Sequence, residues 1–226
     1  MSAVLIVALL LYGNGAALVF AGDLPGGGWL AAALGIGLTG AVLLWARRTG
    51  LTPGELGLVP RRALRAALLG AAVGVPAALA GLVILRDPPL VGGPVSYAPA
   101  AGIEPLALAA HALFFLPLAV IVPEEVAFRG ALLAALRRHV TLARAALASA
   151  VLFAAWHAVI VLATIERSSL QGDALYAGIG IAGAFAAVFA GGVAFAALRW
   201  WTGSLAAPIA AHWGFNVALL VGLRFS

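Results

Sequence analysis

Residues Val122–Gly130 read "VPEEVAFRG". They lie inside a long apolar run, "LALAAHALFFLPLAVIVPEEVAFRGALLAAL" over residues 106–136. One ionised residue at the centre of a membrane helix costs about 2.5–3.5 kcal/mol on insertion scales. Glu124, Glu125 and Arg129 therefore need partners. Glu125 and Arg129 are spaced i, i+4 and fall on one helix face, where they can pair. Glu124 points about 100° further around the helix and has no local partner. Its partner must come from another helix.

Composition says what kind of helix this is. The chain has 226 residues, of which 64% are hydrophobic and 9% charged. Its mean hydropathy is +1.12. Soluble domains carry about 25% charged residues, so a soluble globular domain is excluded. The reading is an all-α polytopic membrane protein. All thirteen basic residues are Arg. They cluster in short loops between apolar spans, which is the pattern that sets membrane orientation and not a nucleic-acid surface. The absence of Cys removes disulfides, thiol nucleophiles and thiolate metal sites.

Seven spans are expected, at about 3–21, 29–46, 63–85, 104–136, 144–163, 177–199 and 203–223. Each is long enough for a hydrocarbon core of about 30 Å. "MSAVLIVALLLYG" lacks a basic leader, so the first run is read as a retained helix. The fourth is over-long, and Pro117 and Pro123 predict a kink or break in it. The Gly- and Ala-rich sixth and seventh spans suit close helix packing. Arg47, Arg48, Arg61, Arg62, Arg65, Arg137, Arg138, Arg144 and Arg199 fall on one side. Arg86, Arg167 and Arg224 fall on the other, with Asp23, Asp87, Glu166 and Asp173. The positive-inside rule puts the Arg-rich loops and the N-terminus in the cytoplasm of a cell (inner) membrane. "LTPGELGLVPRR" (51–62) predicts a short interfacial helix capped by Thr52 and Glu55, with Pro53 at its first position. The Pro/Gly-rich loop 86–102 divides the chain softly into residues 1–103, with three spans, and 104–226, with four.

Two further polar residues interrupt later spans. His157 lies in "FAAWHA" and His212 in "AHWGFN". Glu124 is thirteen residues before Arg137, His157 thirteen after Arg144, and His212 nine after Gly203. At 1.5 Å per residue these are roughly 14–20 Å along their helices, so the three can share one layer. Asn216 is one turn beyond His212 on the same face. The expected cluster is Glu124, Glu125, Arg129, His157, His212 and Asn216. It suits general-base activation of water with donors for an oxyanion. It equally suits a divalent metal such as zinc on Glu124, His157 and His212. His111 is expected to pack, and His139 to be solvated beside Arg137 and Arg138.

"EEVAFR" (124–129), "FAAWH" (153–157) and "HWGFN" (212–216) resemble, in order, the EExxxR, FxxxH and HxxxN motifs of the CAAX protease and bacteriocin-processing (Abi) family of intramembrane proteases. The resemblance covers about 104–223, which puts the catalytic helices in the C-terminal half. It implies Glu124 as general base with His157 on water, and His212 with Asn216 as oxyanion donors. Glu125 and Arg129 would be structural, and Phe153, Trp156 and Trp213 candidates to line the substrate. Asn in the last motif leans toward a glutamate-type enzyme without metal. The site would open toward the cytoplasm.

The implied function is an endopeptidase that cuts near the end of a membrane-associated protein or peptide in the bilayer. The Lys-free, Ala- and Arg-rich composition looks like a high-GC bacterial or archaeal chain, which argues against a prenylated substrate. Two other functions share the residues. One is a non-catalytic immunity or scaffold protein on the same fold. The other is a proton-coupled transporter with Glu124 and the histidines as a relay.

Overall fold

The computed structural model describes residues 2–20 and 27–225. Asp23 lies outside the described residues. The elements are α1 (Ser2–Phe20), α2 (Gly27–Arg48), the single turn α3 (Pro53–Leu56) and α4 (Ala63–Arg86). Then come α5 (Pro105–Arg137), α6 (Leu142–Trp156), α7 (Ala158–Glu166), α8 (Ala174–Thr202) and α9 (Ala206–Arg224). No strand occurs among the described residues; one isolated bridge joins Tyr97 to Ser168 at the Arg-poor end.

All seven expected runs are helical. Among the described residues, five helices are long and apolar enough to span a membrane, and the bent pair α6–α7 makes six. The first run is a shorter apolar helix over Ala3–Leu18. The fold is that of an all-α polytopic membrane protein, and its surface supports this. Leu64, Leu68, Val83 and Leu106 are each more than 60% exposed, while Glu124, Glu125 and Arg129 are buried. Apolar side chains face lipid, and the costly groups face the bundle.

Two irregularities mark the helices, one expected and one not. Pro117 and Pro123 do not break α5, which runs continuously from Pro105 to Arg137. Its turns widen to the π form over His111–Ile121 and Val126–Leu132. A proline supplies no N–H to the ladder, and a wide turn absorbs that loss while the axis continues. Such turns frequently sit at functional sites. The sequence shows no sign of the second irregularity, in the fifth run. It bends by 46° between α6 and α7, with His157 at the corner.

Close packing positions the site. α4 buries Ala66, Gly70, Gly74 and Ala78, a small-residue face four residues apart, against α9. A Cβ on Gly70 or Gly74 would land on the carbonyl of Ala207 or Ala211. The two backbones therefore approach as small-xxx-small faces do. The seventh span makes this contact through Ala207 and Ala211, and on α8, the sixth, Gly192 lets α6 approach at Ala150. α1 packs on α6 and α7, and α2 on α5.

The interfacial turn forms as expected. Glu55 N donates to Thr52 Oγ1 (3.2 Å), and Thr52 N donates to Glu55 Oε2 (2.8 Å). Gly57 ends it at φ 80°, a left-handed conformation that suits glycine. His139 is exposed as expected. His111, expected to pack, is also exposed, on the outer face of α5.

Candidate active site

Glu124 and Glu125 lie between the two wide stretches of α5 and are both buried. The pairing inferred for Glu125 is present: Arg129 Nη1 donates to Glu125 Oε1 at 3.0 Å, both side chains fully buried. The same oxygen accepts from His212 Nδ1 at 2.9 Å. Glu125 therefore touches the site as well as its own helix. Arg129 also lies over the Phe153 ring at 3.9 Å, a cation–π contact that offsets part of its desolvation.

Glu124 takes its partner from another helix. Trp156 Nε1 donates to Glu124 Oε1 at 2.9 Å. Among the described residues Glu124 Oε2 has no hydrogen-bond partner. It faces His157 Nε2 at 3.7 Å and His212 Nε2 at 4.0 Å. Both gaps exceed a direct hydrogen bond.

Each imidazole is oriented through its other nitrogen. His157 Nδ1 lies 2.8 Å from the Phe153 carbonyl. A carbonyl only accepts, so Nδ1 carries the proton. In the neutral ring Nε2 is then an acceptor turned toward Glu124. His212 Nδ1 faces a carboxylate held by Arg129 and likewise donates. Phe195 stacks on the His212 ring at 5.0 Å, and Phe153 stands between the two histidines, 4.4 and 5.9 Å away.

The bend at His157 frees backbone groups, and α1 satisfies them. Asn14 Nδ2 donates to the Ala155 carbonyl (3.1 Å), and Val159 N donates to Asn14 Oδ1 (3.1 Å). Tyr12 stacks on Trp156 at 5.7 Å, and Gly13 leaves room for that indole. Asn14, Tyr12 and Phe195 were not among the sequence candidates. An Asn inside an apolar run is the signal that marks the first.

A cavity of about 410 Å³ adjoins this layer. Its polar lining is His157, His212 and Asn216; the rest is apolar or small, including Phe153, Ala187, Gly191 and Phe195. Asn216 Nδ2 donates to the His212 carbonyl at 3.0 Å, which leaves its second amide hydrogen available. Of the three substrate-lining candidates, Phe153 lines the cavity. Trp156 lies behind it on Glu124, and Trp213 turns to the Ala112 carbonyl (2.8 Å). Among the described residues no group of three His, Cys, Asp or Glu is arranged to hold a metal ion.

Fold and site together define an integral membrane protein with a carboxylate–imidazole centre buried between its helices. The family model described as "Type II CAAX prenyl endopeptidase Rce1-like" matches residues 106–218, half of the chain. The protein belongs to this family of CAAX proteases. The matched region contains all six cluster residues. No curated protein and no solved structure gives a match.

Proposed function

We propose that the protein is a glutamate-type intramembrane endopeptidase with Glu124 as its general base. The observation that carries this reading is the open Oε2 of Glu124 facing two imidazole nitrogens beside an apolar cavity. A water between these atoms donates one hydrogen to Glu124 Oε2 and the other to His157 Nε2. Its lone pair is then free to attack a carbonyl presented from the cavity. The water oxygen bonds to the carbonyl carbon as its proton passes to Glu124. The negative charge moves to the carbonyl oxygen, where Asn216 Nδ2 donates to it. A protonated His212, with Nδ1 on Glu125, donates from Nε2. Collapse breaks the C–N bond, and the proton on Glu124 goes to the leaving amine. Glu125 orients His212 and balances its charge, as the aspartate of a serine-protease triad does for its histidine. No step passes through a metal.

The substrate is a membrane-associated protein or peptide that places an apolar group in the cavity next to the scissile bond. Nothing on the cavity wall demands an isoprenoid, so an unmodified apolar segment serves equally. The Arg-rich end is cytoplasmic by the positive-inside rule, and the protein resides in the cell membrane with its N-terminus on that side. The scaffold reading leaves Glu124 Oε2 without a purpose. A relay would string polar groups along a path, whereas the buried ones here collect in one layer and at the Arg-rich end.

The test is hydrolysis of lipidated and unlipidated peptides by purified protein in liposomes, before and after treatment with a strong chelator. Cleavage that survives chelation and disappears in Glu124→Gln supports the proposal. Cleavage lost on chelation and restored by zinc makes the protein a metalloprotease. Cleavage by neither form, with a cellular phenotype that Glu124→Gln retains, makes it a scaffold.

A further inference from the structure

A second cavity, of about 550 Å³, lies at the Arg-rich end. Arg62, Arg129, Arg137, Arg138 and Arg199 line it, with Glu55. Two of the five arginines are committed to carboxylates. Arg129 pairs with Glu125. Arg138 Nη2 reaches Glu55 Oε1 at 2.9 Å and also donates to the Gly50 carbonyl. Subtracting these leaves three, Arg62, Arg137 and Arg199, with no carboxylate partner among the described residues.

Arg199 is the unusual member. It is only 8% exposed, and its Nη2 donates to the Glu55 carbonyl at 2.7 Å. Its Nε is buried with no partner. A buried guanidinium donor left unpaired is costly, and the planar fork of Arg matches phosphate and carboxylate oxygens. Arg129, 1% exposed, also keeps Nε and Nη2 without hydrogen-bond partners on the same lining, though Phe153 covers part of its face. The rim is interfacial. Arg137 lies over the Trp200 ring at 4.2 Å, and Trp200 and Trp201 are 54% and 71% exposed. Exposed tryptophans mark the headgroup level of a bilayer.

We propose that this cavity is a binding site for a phosphate-type oxyanion, supplied by the headgroup of an anionic phospholipid. Arg199 holds the oxyanion from within, and Arg62 and Arg137 close on it from the rim. Trp200 packs beside the glycerol region, and the exposed Leu64 and Leu68 offer apolar surface at the same end. The site is independent of the proposed hydrolysis, because it uses no residue that faces Glu124 Oε2.

Native mass spectrometry of the full chain released from detergent tests this, with phosphatidylglycerol or phosphatidylcholine added. The expected result is one phosphatidylglycerol retained per chain in preference to phosphatidylcholine. Arg62→Gln and Arg137→Gln should each weaken retention about fivefold, since a basic residue near a lipid surface contributes about that much. Arg65→Gln removes the same charge at an exposed position off the cavity and should leave retention unchanged. Unchanged melting temperatures without lipid show that the rim variants fold. Displacement of the lipid by inorganic phosphate supports the oxyanion as the recognised group. Binding of inorganic phosphate alone, with the same variant sensitivity, keeps the oxyanion site and overturns the lipid source. Equal losses in all three variants, or no preference over phosphatidylcholine, overturn the proposal.

Discussion

Glu124 and Glu125 are neighbours in the chain, both buried, and held by different partners. Glu125 is enclosed. One of its oxygens accepts from both Arg129 and His212, so its charge is matched by a cation and used to hold a ring. Each carboxylate keeps a second oxygen without a hydrogen-bond partner among the described residues; Glu124 is held at its first by Trp156, and only its second faces the Nε2 atoms of His157 and His212. One residue's rotation on a helix separates a carboxylate that fixes a site from one that can react in it. The difference comes from what the neighbouring helices bring. α9 delivers His212 to both glutamates, while α6 delivers Trp156 and His157 to Glu124 alone. A buried polar group usually has its partners. An exception beside two imidazoles and a cavity is a functional signal.

Four substitutions break or sharpen this contrast. Arg129→Met strips Glu125 of its cation, and removing one partner of a buried pair costs about 3–5 kcal/mol. Folded protein should be lost, seen as a collapse of the monodisperse peak in size-exclusion chromatography. Gly74→Val puts a side chain on α4 against the Ala211 carbonyl and should push α9 away from α4. Overpacking of this kind costs about 1–3 kcal/mol, read as a lower melting temperature with His212 displaced from Glu125. Asn14→Leu removes two hydrogen bonds at the bend and should cost about 1–3 kcal/mol. Hydrolysis should fall more than stability, because the variant moves His157 and not Glu125. Trp156→Phe removes one donor from Glu124 and should cost about 0.5–1.5 kcal/mol. Its effect on turnover should be the smallest of the four, measured on the same peptide.

The membrane class, the helical runs and the Glu125–Arg129 pair were legible because each depends on spacing along one helix. The separateness of Glu124 was legible for the same reason: its face, a third of a turn away, carries no basic residue. The partner that answers it, Trp156, was not. It appeared only as a residue next to a motif histidine, and nothing local says an indole N–H will cross to another helix. The bend at His157 was also hidden. No proline or glycine marks it, and it depends on Asn14, more than a hundred residues away in sequence. The prolines of α5 do not break it, because the ladder hydrogen bonds they lack are absorbed by widened turns that only packing reveals. The direction of the second role of Glu125, toward His212, needed the α4–α9 contact at Gly70 and Gly74. That contact is a property of two helices and not of either alone.

The most direct test of the central claim compares Glu124→Gln with wild type at equal expression in cells lacking the protein, by mass spectrometry of membrane-protein termini. Gln keeps an oxygen for Trp156 and loses the basic one. General-base catalysis contributes about 10²–10⁴-fold, so new termini should appear with wild type and vanish with the variant, at unchanged melting temperature. The same termini from both proteins would contradict the account, because the open oxygen of Glu124 would then have no part in the chemistry.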